Sequence, residues 1–211
     1  MDLLIAVYIF CVAVSELMGA KTFPIFDWGW VRLNASVAVF VIPLIFTIND
    51  VITEVYGKER ARSVVRSSLV VIFLILIYSL LVTSLPASKR FMSQEGAYDA
   101  VFGLSARISA ASLIAFAFSD FLDIYIFAWL REKFGKKALW FRNNASNFIS
   151  QFVDSATFLI LAFYAFDQPF TGNMSFIISL LIPYWLLRCA LSVLETPLAY
   201  LGVNWLKKSK S

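Results

Sequence analysis

The sequence predicts an all-α polytopic membrane protein, a bundle of six transmembrane helices with both termini in the cytoplasm. Three observations carry this. First, 60% of the 211 residues are hydrophobic, only 15% are charged and the mean hydropathy is +0.78, which is too apolar for a water-soluble domain. Second, a spanning helix needs about 20 mostly apolar residues, and six stretches qualify: residues 3–20, 34–56, 64–85, 107–130, 145–166 and 176–205. They use most of the chain, so residues 1–211 are expected to form one transmembrane unit. Third, of the 18 Lys and Arg residues, twelve fall in the loops and tail on one side of such a bundle and five on the other; Arg188 lies within the last span. By the positive-inside rule the richer side, which holds both termini, is cytoplasmic. The expected location is a cell membrane, with the protein integral to it.

The first span lacks a basic leader, since only Met1 and Asp2 precede its apolar run, and it carries Ser15 and Glu16 near its outer end. It is expected to be retained as a helix rather than removed as a signal peptide. Trp28 and Trp30 in the loop that follows suit an outer interfacial belt. Pro43 is expected to kink the second span, Gly57 to cap it, and Lys58, Arg60 and Arg62 to complement its negative end. The third span is nearly all aliphatic, reads as a lipid-facing wall and stops at Pro86. Residues 87–106 form the longest loop, either a lid or re-entrant piece or an ordinary connection.

The fourth span presents Ser109, Ala110, Ala111, Ser112, Ala115 and Ala117, small residues that allow close helix packing in lipid. The fifth carries a polar stripe of Asn147, Gln151 and Asp154, with Phe158 a further turn on. The sixth places Pro183 and Pro197 around Tyr184, Arg188, Ser192, Glu195 and Thr196, the pattern of a broken or kinked site-forming helix.

Ionisable groups in these spans are the main functional signal. A carboxylate at the centre of a membrane helix costs roughly 2.5–3.5 kcal/mol on insertion scales and is tolerated where it faces other helices or a wet cavity. Asp50 and Glu54 stand four apart on one helix face, Asp120 and Asp123 three apart on another. Counted along their helices, Asp50, Asp120, Asp123, Gln151, Asp154, Arg188 and Glu195 fall between the midplane and the cytoplasmic surface. A shared polar cavity at that depth is the simplest arrangement. Each group also has a structural alternative: Asp50 and Glu54 as helix-end charges pairing with Lys58 or Arg62, Arg188 as counter-ion to Asp154 or Asp120, Arg107 as an interface anchor.

The composition excludes several chemistries. Histidine is absent, which removes His-based acid–base catalysis, Ser–His nucleophiles and the usual zinc sites. Cys11 and Cys189 both lie in apolar spans, with no C-x-x-C spacing. No metal and no cofactor are expected. The net charge of +4 resides in loops and a basic tail suited to lipid head groups, so no nucleic-acid partner is expected, while the lipid membrane is and a homo-oligomer is allowed. Three classes compete. A transporter needs a polar cavity, kinked helices and no soluble catalytic domain. An intramembrane aspartyl protease needs two carboxylates sharing a proton, and no Gly-x-Gly-Asp or Tyr-Asp pair occurs. A purely structural protein leaves the intramembrane carboxylates unexplained. Transport leads.

The stretch Asp50-Val-Ile-Thr-Glu54-Val-Tyr-Gly-Lys58 with Ala61-Arg62 resembles the signature of the queuosine-precursor transporter family, small six-helix membrane proteins also described as vitamin-uptake-like. So do Arg107 with Ala111-Ser112 and the later Asp123, Phe127 and Leu130; Arg142, Ser146, Gln151, Asp154 and Phe158; and Thr196-Pro197 with Tyr200. The likeness covers residues 40–200, with one departure: Arg188 stands where the family commonly has Lys, which rules out a neutral-amine role, since Arg stays protonated. The resemblance implies uptake of a 7-deazapurine, the 7-cyano or 7-aminomethyl base from which queuosine is made for tRNA. The implied substrate-binding residues are Asp120, Asp123, Asn147, Gln151, Asp154 and Arg188, with Asp154 or Asp120 on the base edge and Arg188 or Gln151 on its carbonyl. Asp50, Glu54, Arg107 and Glu195 are the implied gate or coupling residues. The runner-up is the substrate-binding subunit of an energy-coupling-factor vitamin transporter, with an intramembrane enzyme behind it.

Overall fold

The computed structural model describes residues 2–27, 32–134 and 139–209; the side chains of residues 50, 54, 58, 120–128, 130–147, 150 and 191–209 lie outside that description. The elements run α1 (Asp2–Met18), a hairpin of β1 (Thr22–Asp27) and β2 (Arg32–Ser36), a 3-10 turn (Val37–Phe40), then α2 (Ile42–Tyr56), α3 (Lys58–Ser84), α4 (Glu95–Phe134), α5 (Leu139–Phe163) and α6 (Phe170–Ser209). Six helices are therefore present. Among the described residues, three helical stretches are long and apolar enough to cross a membrane: Glu59–Ser84, Glu95–Ser119 and Phe170–Ala190. Ile42–Thr53 and Gln151–Phe163 are apolar but shorter.

The helices α2, α3, α4, α5 and α6 follow one another round a ring that closes where α6 meets α2. α1 packs against α2, α3 and α4, with Phe10 and Met18 left exposed on its outer side. Tyr8 and Val12 of α1 form one core with Ile48 and Ile52 of α2 and Ala61, Val64 and Ile72 of α3. Ile108 and Ala111 of α4 meet Ala162 of α5, and Leu159 of α5 meets Ile177 and Leu180 of α6. The small residues of α4 act as their type predicts: Ser109, Ala111 and Ala115 are almost fully buried, whereas Ala117 points outward. The outer face of α3 leaves Val70, Phe73, Leu74, Ile77 and Leu81 exposed, as a helix facing hydrocarbon would.

Five expectations are corrected. The chain is not purely helical, because β1 and β2 pair antiparallel, with an irregularity between Pro24 and Phe26. The expected second span, residues 34–56, is really a strand, a 3-10 turn and a helix of only 15 residues, about 22 Å long at 1.5 Å per residue. Pro43 sits in the first turn of α2, where its missing N–H has no helical partner to lose, so it starts that helix instead of kinking it. Nor is residues 87–106 one long loop, since α4 already begins at Glu95, whose carboxylate accepts the Ala87 N–H at 2.9 Å. Finally, α6 is continuous through Pro183 and Pro197 and is not a broken helix.

Gly57 alone separates α2 from α3. Its φ of 85° and ψ of 162° lie in a region open essentially to glycine, and its N–H caps Thr53 O at 3.0 Å. The hairpin is held at both ends. Ser36 Oγ donates to Gly19 O at 2.6 Å and accepts the Ala38 N–H at 3.1 Å, while Asn34 Nδ2 donates to Ser179 Oγ of α6 at 2.8 Å. These bonds tie it to α1 and α6, the walls of the space that α1 leaves unfilled.

Candidate functional site

Because α1 packs on α2, α3 and α4, a cavity of about 390 Å³ remains between it and the far side of the ring. That volume lies within the roughly 300–1,000 Å³ common for small-molecule sites. The walls are mostly aliphatic and aromatic, and the charged groups among the described lining are Glu16, Asp154 and Arg188.

Asp154 and Arg188 come together across α5 and α6. Arg188 Nη1 donates to Asp154 Oδ2 and, at 3.1 Å, to Ser155 Oγ, whose own hydroxyl donates to Gln151 O at 2.7 Å. Spacing explains the arrangement: Asp154 and Phe158 lie four apart on α5, Tyr184 and Arg188 four apart on α6, so each charge has an aromatic ring one turn away on the same face. The guanidinium lies 5.0 Å from the Tyr184 ring centre and 5.8 Å from that of Phe46, within cation–π range. Phe158 and Tyr184 face each other at 6.5 Å with ring planes 29° apart. Arg188 Nε is buried and has no partner among the described residues. The pair is thus neutral overall and retains an unused donor.

Glu16 occupies the opposite wall. It is 6% exposed and accepts a hydrogen bond from Ser112 Oγ of α4 at 3.2 Å. Ser105, fully buried, donates to Leu17 O at 2.9 Å and fixes the end of α1 on α4. Ser112 follows seven residues on, hence on the same α4 face, and so meets the residue preceding Leu17. Ser109 is also fully buried, one turn before Ser112 on α4.

The remaining expected site residues sit as follows. Gln151 is half-buried one turn before Ser155 and does not line the cavity. Arg107 lies elsewhere: its Nε donates to Leu161 O at 2.8 Å and its Nη2 to Tyr164 O at 2.5 Å, which caps the last turn of α5. The side chains of Asp50, Glu54, Asp120, Asp123, Asn147 and Glu195 lie outside the described residues. α2 contributes Ile42, Ile45 and Phe46, its first residues, and the hairpin contributes Ile25, Ala35 and Ser36. Tyr8 of α1 and Val65 and Ser68 of α3 carry the lining on toward the Gly57 end.

Glu16, Tyr184 and Phe46 were not among the residues assigned to the site from sequence. An intramembrane carboxylate is by default a functional candidate, and that signal was present at Glu16. It was hidden by apparent depth, since Glu16 sits near one end of its helix while the other carboxylates lie deeper along theirs.

Apolar helices ringed round a small cavity, with an acid–guanidinium pair, a second buried carboxylate and aromatic faces, form a helical bundle with a small-molecule pocket, the layout of a transporter. Residues 36–202 match the family described as "putative vitamin uptake transporter". The chain belongs to this family, and its similar curated relatives are named as queuosine precursor transporters. It is 29% identical over 195 residues to the probable queuosine precursor transporter of Bacillus subtilis, covering 90% of this chain and 79% of that protein. It is 28% identical to the queuosine precursor transporter of Escherichia coli over 64% of this chain and 58% of that one. With the probable queuosine precursor transporter of Haemophilus influenzae it shares 30% identity over 66% of this chain and 57% of that protein. These relatives are named for transport and not for an enzymatic activity. No solved structure matches the chain.

Proposed function

We propose that this protein imports queuosine precursors, 7-cyano-7-deazaguanine or 7-aminomethyl-7-deazaguanine, across the bacterial inner membrane for queuosine synthesis or salvage. All six helices span, both termini are cytoplasmic, and the hairpin end of the cavity lies toward the outside. One observation carries the substrate reading: a cavity that fits one small molecule holds a carboxylate beside a guanidinium with an unused donor, next to stacked aromatic rings. A guanine-like edge offers N1–H and an exocyclic NH₂, which one carboxylate accepts bidentately, and an O6 that suits a guanidinium N–H.

In this scheme Asp154 takes the N1–H and NH₂ edge and the Arg188 guanidinium donates to O6. The ring lies against Tyr184 and Phe158, where aromatic contact is worth about 0.5–1.5 kcal/mol beyond burial. The bond from Arg188 Nη1 holds the Asp154 carboxylate in place when no substrate is bound, so the site is already arranged before binding. Entry beneath the hairpin and exit past Asp50 and Glu54 would complete the path.

The test uses cells unable to make the base. Given 7-cyano-7-deazaguanine externally, cells carrying the gene are expected to contain queuosine in tRNA, and cells lacking it are not. Equal queuosine in both would defeat the substrate assignment.

A further inference from the structure

The charges lining the cavity do not cancel. Asp154 and Arg188 neutralise one another, and no Lys or Arg pairs with Glu16 among the described residues. Its hydrogen bond from Ser112 leaves a carboxylate in an apolar wall with only neutral company, an arrangement that burial disfavours until a positive charge arrives. Beside it, Ser15 Oγ also lines the cavity; it spends its proton on Val12 O at 2.7 Å, so toward the cavity it offers only lone pairs. Carboxylate, Ser15 Oγ and Ser112 Oγ together form an acceptor set matched to the three N–H donors of a primary ammonium. Tyr184 lines the same cavity as Glu16, Asp154 and Arg188, with its ring against the guanidinium.

We propose that Glu16 is a specificity residue for a primary ammonium carried on the substrate, opposed to the Asp154–Arg188 pair across one bound ring. This rests on the uptake of deazapurines proposed above and narrows it. Of the two precursors, the aminomethyl base bears such a cation and the cyano base does not, so Glu16 favours the former. A proton taken up by Glu16 as a coupling ion is the competing occupant, and it would serve both bases alike.

The test compares initial uptake of 7-aminomethyl- and 7-cyano-7-deazaguanine by wild type, Glu16→Gln and Glu16→Asp at matched membrane levels. Glu16→Gln keeps size and hydrogen bonding but removes the charge. It is expected to lower the aminomethyl-to-cyano uptake ratio about tenfold or more, the loss of one charge-assisted contact, with Glu16→Asp restoring part of it. Should Glu16→Gln fail to reach the membrane, Ser112→Ala removes one acceptor and is expected to shift the ratio the same way by about threefold. An unchanged ratio in the charge-neutral variant, with both bases losing uptake together, would overturn the assignment and favour the coupling proton. Wild-type protein taking up neither base would defeat the substrate reading itself, and the role of Glu16 with it.

Discussion

At the scale of single residues, the account depends on Asp154 and Arg188 being a site and not only a strut. Both side chains are less than one-fifth exposed, and removing one partner of a buried pair costs about 3–5 kcal/mol because the other charge is stranded. Replacing both by apolar residues of similar volume is often neutral. Asp154→Asn is therefore expected to lower the melting temperature of the purified protein and to abolish uptake, whereas the double variant Asp154→Leu with Arg188→Met recovers the melting temperature but not uptake. A scaffold-only pair would give back uptake together with stability. Much of this pair was legible in the sequence, because charges at helical spacing inside apolar runs must face inward. Glu16 was less so: periodicity places a residue on a face, but not beside another helix, and its place in one cavity with Asp154 and Arg188 depends on α1 packing against α4. Ser112 illustrates the same limit, since it reads as a packing residue until the end of α1 is placed against it.

At the scale of elements, the six helices were readable and the hairpin was not. The segment Asn34-Ala-Ser-Val-Ala-Val-Phe-Val41 is apolar and runs directly into α2, but Val37, Val39 and Val41 are β-branched. A short apolar run of that kind reads equally as strand or helix end. Its anchoring is testable: Asn34→Ala loses the bond to Ser179 and is expected to cost about 1 kcal/mol, seen as a lower melting temperature. Arg107 was read as gate, coupling residue or anchor, and its two bonds to the end of α5 favour the last. Arg107→Ala should thus reduce thermal stability by about 1–3 kcal/mol while leaving the KM for uptake unchanged; a raised KM at normal stability would return it to the transport path. Gly57 belongs to the same scale. A Cβ there meets nothing within 4 Å, so any cost of Gly57→Ala is backbone strain, expected at about 1–3 kcal/mol, and a neutral result would mean that the α2–α3 junction relaxes.

At the scale of the whole molecule, α1 on one side and α5 with α6 on the other line one cavity, which turns a set of apolar segments into a vessel with a polar interior. The orientation proposed above rests on charge asymmetry, and labelling by an impermeant thiol reagent in intact cells checks it. Ser88→Cys, in the connection after α3, is expected to react from outside, and Glu59→Cys, beside Gly57, only after permeabilisation; the reverse pattern would turn the hairpin end inward. The central claim is that one cavity, read by Asp154 and Arg188, holds a deazapurine. Equilibrium binding of 7-cyano-7-deazaguanine to the purified protein tests it most directly. Saturable binding by wild type, competed by guanine and weakened at least about tenfold by Asp154→Asn, is the result expected from loss of a charge-assisted pair of hydrogen bonds. Binding of equal strength in both proteins, or none in wild type, would contradict it.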